Sequence, residues 1–489
     1  MPRPPRSGRA VLVLALAALA TLGVLAFPPE ASAIRFVNYN LLNYDNLNTT
    51  RDPAFRTVLT GISGVDVIAV QEVQDQTAMT NFLNNVLNTL EPGAWAQGQF
   101  FNDPTQSFNQ GLFYRTATMT LVESDTLGSD PRDIAWYRLR PRPYTASSAE
   151  FIVFVCHFKA STGYETDRLA EATRLRAFMN SFPAGTNMIV SGDLNLYTST
   201  EPAYQELLES QAVNTGRVQD PINMPGSWNN NSSFASIHTQ STRTGYLDPN
   251  DGGATGGMDD RFDFVLPTYS LADGEGLDQL AATYKAYGQD GLHFNMSIND
   301  PPTNAAVGQI IADALQRASD HLPVALDLQV PAIVSADAAL SFGTVIVGAT
   351  AEQTLTVTNT AVIPADELTY TLTAPAGFTA PAGTQTEPAG GGSNAHAIAM
   401  LTSSAGVKAG NLVILSDDPD HPSTNVALGG TVLRHAVPSL AGGVQVLADT
   451  LDFGTHEEGG FSNGSVSAFN LGYDALQALL NIYGAVITG

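Results

Sequence analysis

Acidic, amide and imidazole side chains recur at the ends of apolar runs in the first two thirds of this chain. The clearest case is Ser319-Asp320-His321, which stands directly before the apolar run Leu322-Pro-Val-Ala-Leu-Asp-Leu328. Carboxylates and imidazoles are the groups that hold divalent cations and transfer protons in metal-assisted hydrolysis. The pattern therefore predicts a hydrolytic site where a buried strand begins.

Further segments upstream combine an apolar run with polar residues at its edge. They are Phe36-Val-Asn-Tyr-Asn40, Val67-Ile-Ala-Val-Gln-Glu72, Phe151-Ile-Val-Phe-Val-Cys-His157, Met188-Ile-Val-Ser-Gly-Asp-Leu-Asn195 and Arg261-Phe-Asp-Phe-Val-Leu266. Adjacent antiparallel strands run in opposite directions, so residues at the end of one strand and the start of its neighbour can share one sheet edge. We expect these segments to build one common site.

The order Asn, Glu, His, Asp-x-Asn, Asp, Asp-His across residues 34–330 resembles the endonuclease/exonuclease/phosphatase superfamily, in particular its secreted bacterial, deoxyribonuclease-like type. These metal-dependent phosphodiesterases include pancreatic-type deoxyribonuclease, abasic-site endonucleases, sphingomyelinases and inositol phosphatases. Strand-like runs alternate with helical stretches such as 167–180, which is an α/β pattern. The resemblance implies an α/β four-layer sandwich, two stacked β-sheets flanked by helices, as the catalytic domain over residues 34–330.

The resemblance also implies the metal site. Glu72 is the first expected ligand, and Asn40 and Asp320 complete an oxygen shell for Mg²⁺ or Mn²⁺, with Ca²⁺ as a further candidate. Taken alone, Glu72 is more typical of a solvent-exposed residue at the end of a strand. Its assignment as a metal ligand depends on the ordered set of motifs.

The remaining motif residues are expected to carry out proton transfer and phosphate binding. His321 is the expected general base, and Asp263 would hold its other ring nitrogen. Asp193 would orient water or protonate the leaving group, and the two roles stay open; Asn195 would bind the phosphate. His157 would donate to a nonbridging oxygen, which suggests the deoxyribonuclease-like branch because other branches carry tyrosine there.

The N-terminus predicts export. Arg3, Arg6 and Arg9 precede an apolar run, and Ala31-Ser-Ala33 forms a small-x-small cleavage motif, so residues 1–33 are expected to be a secretory signal peptide and the protein to be extracellular. A membrane anchor is the alternative, but the run is slightly shorter than the ~20 residues that a span needs. We expect no membrane span elsewhere.

Charge and cysteine content narrow the functional classes. The formal charge is −25, which argues against a protein that binds nucleic acid through Lys and Arg neutralising phosphates. It is compatible with a nuclease, because a carboxylate-rich site recruits cations that then face the phosphate. A single cysteine, Cys156, excludes an internal disulfide, so stability has to come from packing.

The composition changes after Pro331 to alternating Thr/Val-rich runs, which predict an all-β region. Residues 331–434 resemble an immunoglobulin-like sandwich of the choice-of-anchor or abnormal-spindle-like type. Asp449-Thr-Leu-Asp-Phe-Gly-Thr455 then echoes Ala338-Ala-Leu-Ser-Phe-Gly-Thr344, so residues 435–489 are expected to be the start of a second, incomplete β module. A role for these modules in binding a surface or polymer is the expectation.

Together these features predict a secreted metal-dependent phosphodiesterase, with nucleic acid, DNA or RNA, as its substrate. One alternative is a phospholipase C or sphingomyelinase, which needs exposed apolar loops for membrane contact; Trp95, Trp136 and Trp228 are scattered in the sequence. A second alternative is a surface-binding protein on an inactive hydrolase scaffold, against which the intact motifs argue.

Overall fold

The computed structural model describes residues 33–45, 49–102, 108–247, 252–460, 462–484 and 486. The predicted signal peptide, apart from Ala33, lies outside these residues. None of the helices in the described ranges is long and apolar enough to cross a membrane.

The first part of the chain forms two β-sheets. Its strands are β1 (Ile34–Tyr44), β2 (Val67–Val73), β3 (Trp95–Gln97), β4 (Asn109–Arg115), β5 (Met119–Leu127), β6 (Ile134–Pro141), β7 (Phe151–His157), β8 (Asn187–Asp193), β9 (Asp263–Pro267), β10 (Asp278–Ala286) and β11 (Val324–Gln329). One sheet has the order β10-β11-β1-β2-β4-β3 and the other the order β5-β6-β7-β8-β9. Most neighbours are antiparallel, whereas β1 and β2, and β7 and β8, run parallel.

Helices cover the outer faces of both sheets. They are α1 (Asp52–Ile62), α2 (Gln76–Asn81), a π-helical segment (Phe82–Leu87), α3 (Asn88–Leu90), α4 (Glu165–Met179), α5 (Pro202–Leu208) and α6 (Gly308–Ala318). The apolar faces of α1 and α6 pack on the first sheet, and α4 and α5 pack on the second. A third cluster of buried residues fills the space between the sheets. The layers are helix, sheet, sheet, helix, which confirms the predicted α/β four-layer sandwich.

An all-β sandwich follows, as predicted. Its strands are β12 (Val334–Ala336), β13 (Ala339–Ile346), β14 (Glu352–Asn359), β15 (Leu368–Thr373), β16 (Phe378–Thr379), β17 (Thr384–Glu387), β18 (Ser393–Met400), β19 (Gly406–Ser416) and β20 (Ser423–Leu433). Sheets of order β12-β14-β18-β16 and β13-β20-β19-β15-β17 enclose one apolar core. Its immunoglobulin-like character and the domain boundaries stay predictions.

The repeated motif has different surroundings in its two copies. In the first copy, Leu340 and Phe342 on β13 are 8% and 7% exposed and belong to the sandwich core, whereas their counterparts Leu451 and Phe453 are 44% and 39% exposed. Beyond the sandwich, the described residues contain one short strand pair, β21 (Pro438–Ser439) with β22 (Phe469–Asn470). The incomplete second module therefore stays a prediction.

Candidate active site

The polar residues of the site continue the rows of apolar residues that lie between the two sheets. Residues two apart in a strand share a face. On β7, Val153 and Val155 belong to the core between the sheets, and His157 follows on the same face. On β8, Ile189 belongs to that core and Asp193 follows four residues later. The site therefore lies where the intersheet core ends.

Glycine at position 192 allows β7 and β8 to meet at this edge. A Cβ atom on Gly192 would lie 1.9 Å from the carbonyl oxygen of Cys156, so a side chain cannot be accommodated without moving the backbone. The close parallel pairing places His157 directly opposite Asp193. Two predicted site residues on different strands are thereby brought together.

Glu72 reaches the site through an unusual backbone conformation. Its φ angle is +58°, which non-glycine residues rarely adopt. The pairing of β2 with β4 is interrupted between Val70 and Val73, and such an irregularity can redirect a side chain within a strand. The carboxylate then accepts hydrogen bonds from the side chain of Asn40 (3.1 Å) and the backbone amide of Asn43 (2.9 Å).

An imidazole–carboxylate pair forms the deepest part of the site. His321 Nδ1 lies 2.7 Å from Asp263 Oδ2, and both side chains are almost completely buried. The other ring nitrogen, Nε2, lies 3.7 Å from Asp193 Oδ2 and 3.9 Å from Asp320 Oδ1. The loop that carries this histidine is held to β1, because the Ser319 hydroxyl donates to the carbonyl of Asn40 (2.7 Å) and accepts from the His321 amide (3.1 Å).

Three further side chains surround the gap in front of this pair. The potential metal-ligand atoms of Glu72, His157 and Asp193 all lie within 4.8 Å of one another. His157 Nε2 is 3.6 Å from Asp193 Oδ2 and 3.9 Å from Glu72 Oε1. The Asn40 amide bridges the two carboxylates, donating to Asp193 Oδ2 at 3.2 Å as well as to Glu72. In the described residues, the ion pairs of Glu72 and Asp193 are with histidines.

Burial and neighbouring charges shift the acid–base properties of these groups. Burial raises the pKa of Glu72, and the charge of Asp320 adds to this. Burial likewise raises the pKa of Asp193 to about 7, against the opposing effect of His321. His321 shows the reverse balance: burial lowers its pKa, but Asp263 and Asp320 outweigh burial and raise the pKa well above its usual value.

His157 differs from His321 in its electrostatics. Burial, and then the positive charge of Arg132, lowers the pKa of His157 well below its usual value. The Arg132 guanidinium lies close because it donates to the carbonyls of His157 (3.0 Å) and Phe158 (2.9 Å). Of the two site imidazoles, His157 is thus the one that favours its neutral form.

The structure brings the predicted site residues to one edge, and their roles stay predictions. They are Asn40, Glu72, His157, Asp193, Asn195, Asp263, Asp320 and His321. The side-chain amide of Asn195 donates to the carbonyl of Phe158 at 3.1 Å.

Gln240 also lies at this site and is not predicted from the sequence. Gln240 Nε2 lies 2.6 Å from His321 Nε2 and 3.2 Å from Asp320 Oδ2. It belongs to an irregular segment without apolar periodicity, so no pattern in the sequence points to it.

The carboxylates at the edge fit a hard divalent cation. Asp320 Oδ1 is buried and has no hydrogen-bond partner among the described residues, and a buried carboxylate oxygen without a partner is costly. Glu72 and Asp320 repel one another strongly enough to affect the pKa of Glu72. Oxygen ligands of this kind suit Mg²⁺, Mn²⁺ or Ca²⁺.

Comparisons with known proteins give structural similarity without sequence matches. No family model matches the chain, and no curated protein matches it. Among solved structures, the human Nocturnin catalytic domain with bound sulfate has 16% identity and a TM-score of 0.39, and the match covers 61% of this chain and 94% of that one. An endonuclease/exonuclease/phosphatase from Bacteroides vulgatus has 15% identity and a TM-score of 0.39, covering 61% and 99%. TDP2 from D. rerio in complex with single-strand DNA product has 13% identity and a TM-score of 0.39, also covering 61% and 99%.

Proposed function

We propose that this chain is a secreted, divalent-metal-dependent phosphodiesterase that hydrolyses nucleic acid outside the cell. The observation that carries the proposal is the His321–Asp263 pair, whose second ring nitrogen lies 3.7 Å from Asp193 and beside Glu72 and His157. A base, an acid and metal ligands around one small space are the groups that phosphodiester hydrolysis needs.

His321 is proposed to take the proton of the attacking water. Its Nδ1–H donates to Asp263, so in the neutral ring the lone pair lies on Nε2, toward the gap. Asp263 would stabilise the positive charge that the ring acquires when it takes the proton. The Gln240 amide lies 2.6 Å from the same nitrogen, so it has to move before a water molecule can bind there.

Asp193 is proposed to serve the leaving group. A pKa of about 7 allows this carboxyl group to carry a proton near neutral pH and to release it, which is the property that a general acid needs. His157 lies beside it and offers a donor for a nonbridging phosphate oxygen, whereas the side-chain amide of Asn40 already donates to Glu72 and Asp193. Glu72 and Asp320 would hold the cation, which when bound neutralises charge on the phosphate.

Nucleic acid is favoured over a lipid substrate by the positions of the tryptophans. Trp95, Trp136 and Trp228 are 7%, 6% and 0% exposed, so these residues do not form the apolar surface with which a sphingomyelinase would contact a membrane. The signal-like N-terminus supports export. The charge of −25 implies that the cation, rather than a basic surface, draws the phosphate to the site.

The test is a turnover assay of the purified chain with DNA, RNA, sphingomyelin and inositol phosphates, each with Mg²⁺, Mn²⁺ or Ca²⁺ and with chelator. Hydrolysis of DNA or RNA that stops with chelator and returns with Mg²⁺ or Mn²⁺ is the expected result. Full activity after thorough demetallation would overturn the metal role, and turnover of sphingomyelin alone would overturn the choice of substrate. Detection of the protein in the culture medium of its host, processed near residue 33, tests secretion.

A further inference from the structure

Asn38 lies beneath the proposed catalytic pair and has no role in the mechanism so far. It is on β1, two residues before Asn40, and is fully buried. Its amide contacts three equally buried side chains, Gln71 on β2, Ser191 on β8 and Asp263 on β9. Burying a polar side chain between two sheets costs free energy unless its hydrogen bonds are satisfied.

The hydrogen bonds fix which way the Asn38 amide points. Its Oδ1 accepts from Gln71 Nε2 at 2.8 Å and from Ser191 Oγ at 3.0 Å. Its Nδ2 faces Asp263 Oδ1 at 3.4 Å. A carboxylate that already accepts from His321 offers acceptor oxygens only, so the opposite amide orientation would set two acceptors against each other.

In the described part of the chain, the contact with Asn38 is one of two that the carboxylate of Asp263 makes with neighbouring side chains. The terminal torsion of an aspartate is soft and does not select one rotation by itself. One oxygen of Asp263 is bonded to His321 Nδ1 at 2.7 Å, and the Asn38 amide is the side-chain donor to the other oxygen among the described residues. Contacts to both oxygens define the plane of the carboxylate, and hence the direction in which the imidazole is held.

We propose that Asn38 is a positioning residue that, itself held by Gln71 and Ser191, sets the Asp263 carboxylate so that it holds His321 in its catalytic orientation. This inference rests on the proposed function, because the pair has a task only if the site is a hydrolase. Asn38 contacts neither the gap nor the substrate, so it acts through Asp263.

The central test is Asn38→Ala in the full chain, measured by steady-state hydrolysis of a chromogenic phosphodiester and by proton NMR. We expect kcat to fall about 10- to 100-fold, as for loss of an outer partner of a catalytic group, with KM unchanged. In the metal-free protein, the downfield resonance of the His321 Nδ1–H should be present in the wild type and broadened or shifted in the variant. Wild-type kcat in a folded variant, or an unchanged resonance, would overturn the proposal.

Matched variants separate positioning from loss of stability. Asn304 is 2% exposed and donates to the carbonyls of Gly288 and Ile298, away from the site; Asn304→Ala should lower the melting temperature and leave kcat and the resonance unchanged. Asn38→Asp keeps the shape but sets an oxygen against Asp263, so it should be at least as inactive as Asn38→Ala. If that variant does not fold, Ser191→Ala removes one of the two donors to Asn38 and should lower kcat less, in the same direction.

The two readouts also distinguish this proposal from the proposed function. If the wild type hydrolyses no phosphodiester but Asn38→Ala loses the His321 resonance, Asn38 does position Asp263 and His321, and the proposed hydrolase function is wrong. If the wild type is active but the His321 resonance is the same in Asn38→Ala, the hydrolase function stands and the positioning role of Asn38 is wrong.

Discussion

Two groups of side chains that could hold a metal bring their ligand atoms equally close together, and their surroundings differ. Both groups have three members whose ligand atoms lie within 4.8 Å of one another. The edge cluster lies between the two sheets, and the junction cluster lies where the α/β sandwich meets the β-sandwich. The edge cluster is Glu72, His157 and Asp193, and the junction cluster is Glu275, Asp366 and Asp417.

The junction cluster is built from loop residues whose oxygens are bonded largely to backbone amides. Asp366 accepts from the amides of Gly276 and Glu367, and Asp417 accepts from the amide of Thr369 at 2.8 Å. Glu275 is exposed. Here the carboxylates tie loops of the two parts together, which is a structural task.

The edge cluster is held by side chains on strands and lies beside the imidazole of His321. Asn40 bridges its two carboxylates, and His321 Nε2 lies 3.7 Å from Asp193. Proximity of carboxylates is therefore a poor guide to a site. Rigid strands, buried side-chain donors and a neighbouring imidazole pair are the features that separate the edge cluster from the junction cluster.

The largest effect is expected for the imidazole pair behind the edge cluster. His321→Ala should lower the rate by ~10² to 10⁴, the range for losing general acid–base catalysis. Asp263→Asn should give a similar loss, because an amide has one acceptor oxygen instead of two and no negative charge to hold the ring and stabilise its cation. Rates of DNA hydrolysis at saturating Mg²⁺, with circular dichroism to confirm folding, provide the measurement.

The double variant sharpens this test. Residues that act as one unit have non-additive effects, so the combined His321 and Asp263 substitutions should cost little more than either alone. Losses that multiply would show that the two residues act independently, and the assignment of base and orienter would fail.

The sequence predicts the fold and the site edge better than it predicts the supporting contacts. Apolar runs that end in Asn40, His157 and Asp193 indicate strands whose polar ends meet, and the four-layer architecture is confirmed. The buried position of Asn38 could have been predicted, since strand alternation places it on the same inward face as Phe36, a member of the intersheet core. The position of Gln240 could not have been predicted, because its segment has no apolar periodicity and its contact with His321 depends on the tertiary path of a loop.

Glu72→Gln is expected to have the next largest effect. The substitution removes the charge that would hold the cation but keeps a side chain able to bond Asn40. The Mg²⁺ concentration that gives half-maximal activity should then rise roughly tenfold or more, because metal affinity is sensitive to the residues around the ion. A metal titration of activity measures it, and Glu275→Gln, the equivalent change in the junction cluster, is the control that should leave the Mg²⁺ requirement unchanged. An unaltered requirement in Glu72→Gln would argue against its role as a ligand.

A smaller effect is expected on the pH dependence of stability at the junction. Burial, and then the charge of Asp366, raises the pKa of Asp417 from 3.8 to about 6. An acid with a raised folded-state pKa stabilises the fold fully below its unfolded pKa, and this stability is lost as pH rises through the folded value. Asp417→Asn should therefore gain stability relative to the wild type above about pH 6. The gain should be about 1 kcal/mol or less, because the side chain is partly exposed and solvent screens the repulsion.

Denaturant unfolding at pH 4.5 and pH 8 measures this difference. The wild type should lose more stability between the two values than Asp417→Asn does. Equal losses would mean that burial and the neighbouring carboxylate do not raise the pKa of Asp417 in the folded protein. Asp125, which is exposed on β5 and outside both clusters, provides a control, since Asp125→Asn should leave the pH dependence of stability unchanged.

The smallest expected effect is on turnover in the same junction variants. Because the junction carboxylates bond loop amides and the proposed mechanism uses only residues at the sheet edge, Asp417→Asn and Glu275→Gln should keep the wild-type kcat and KM for a soluble nucleic-acid substrate. Steady-state kinetics at pH 7 with saturating Mg²⁺ checks this. A clear fall in kcat, in variants shown to be folded, would mean that the junction and the edge are coupled. The contrast between a structural and a catalytic group of acids would then have to be replaced by one in which the β-sandwich helps to set the geometry of the site.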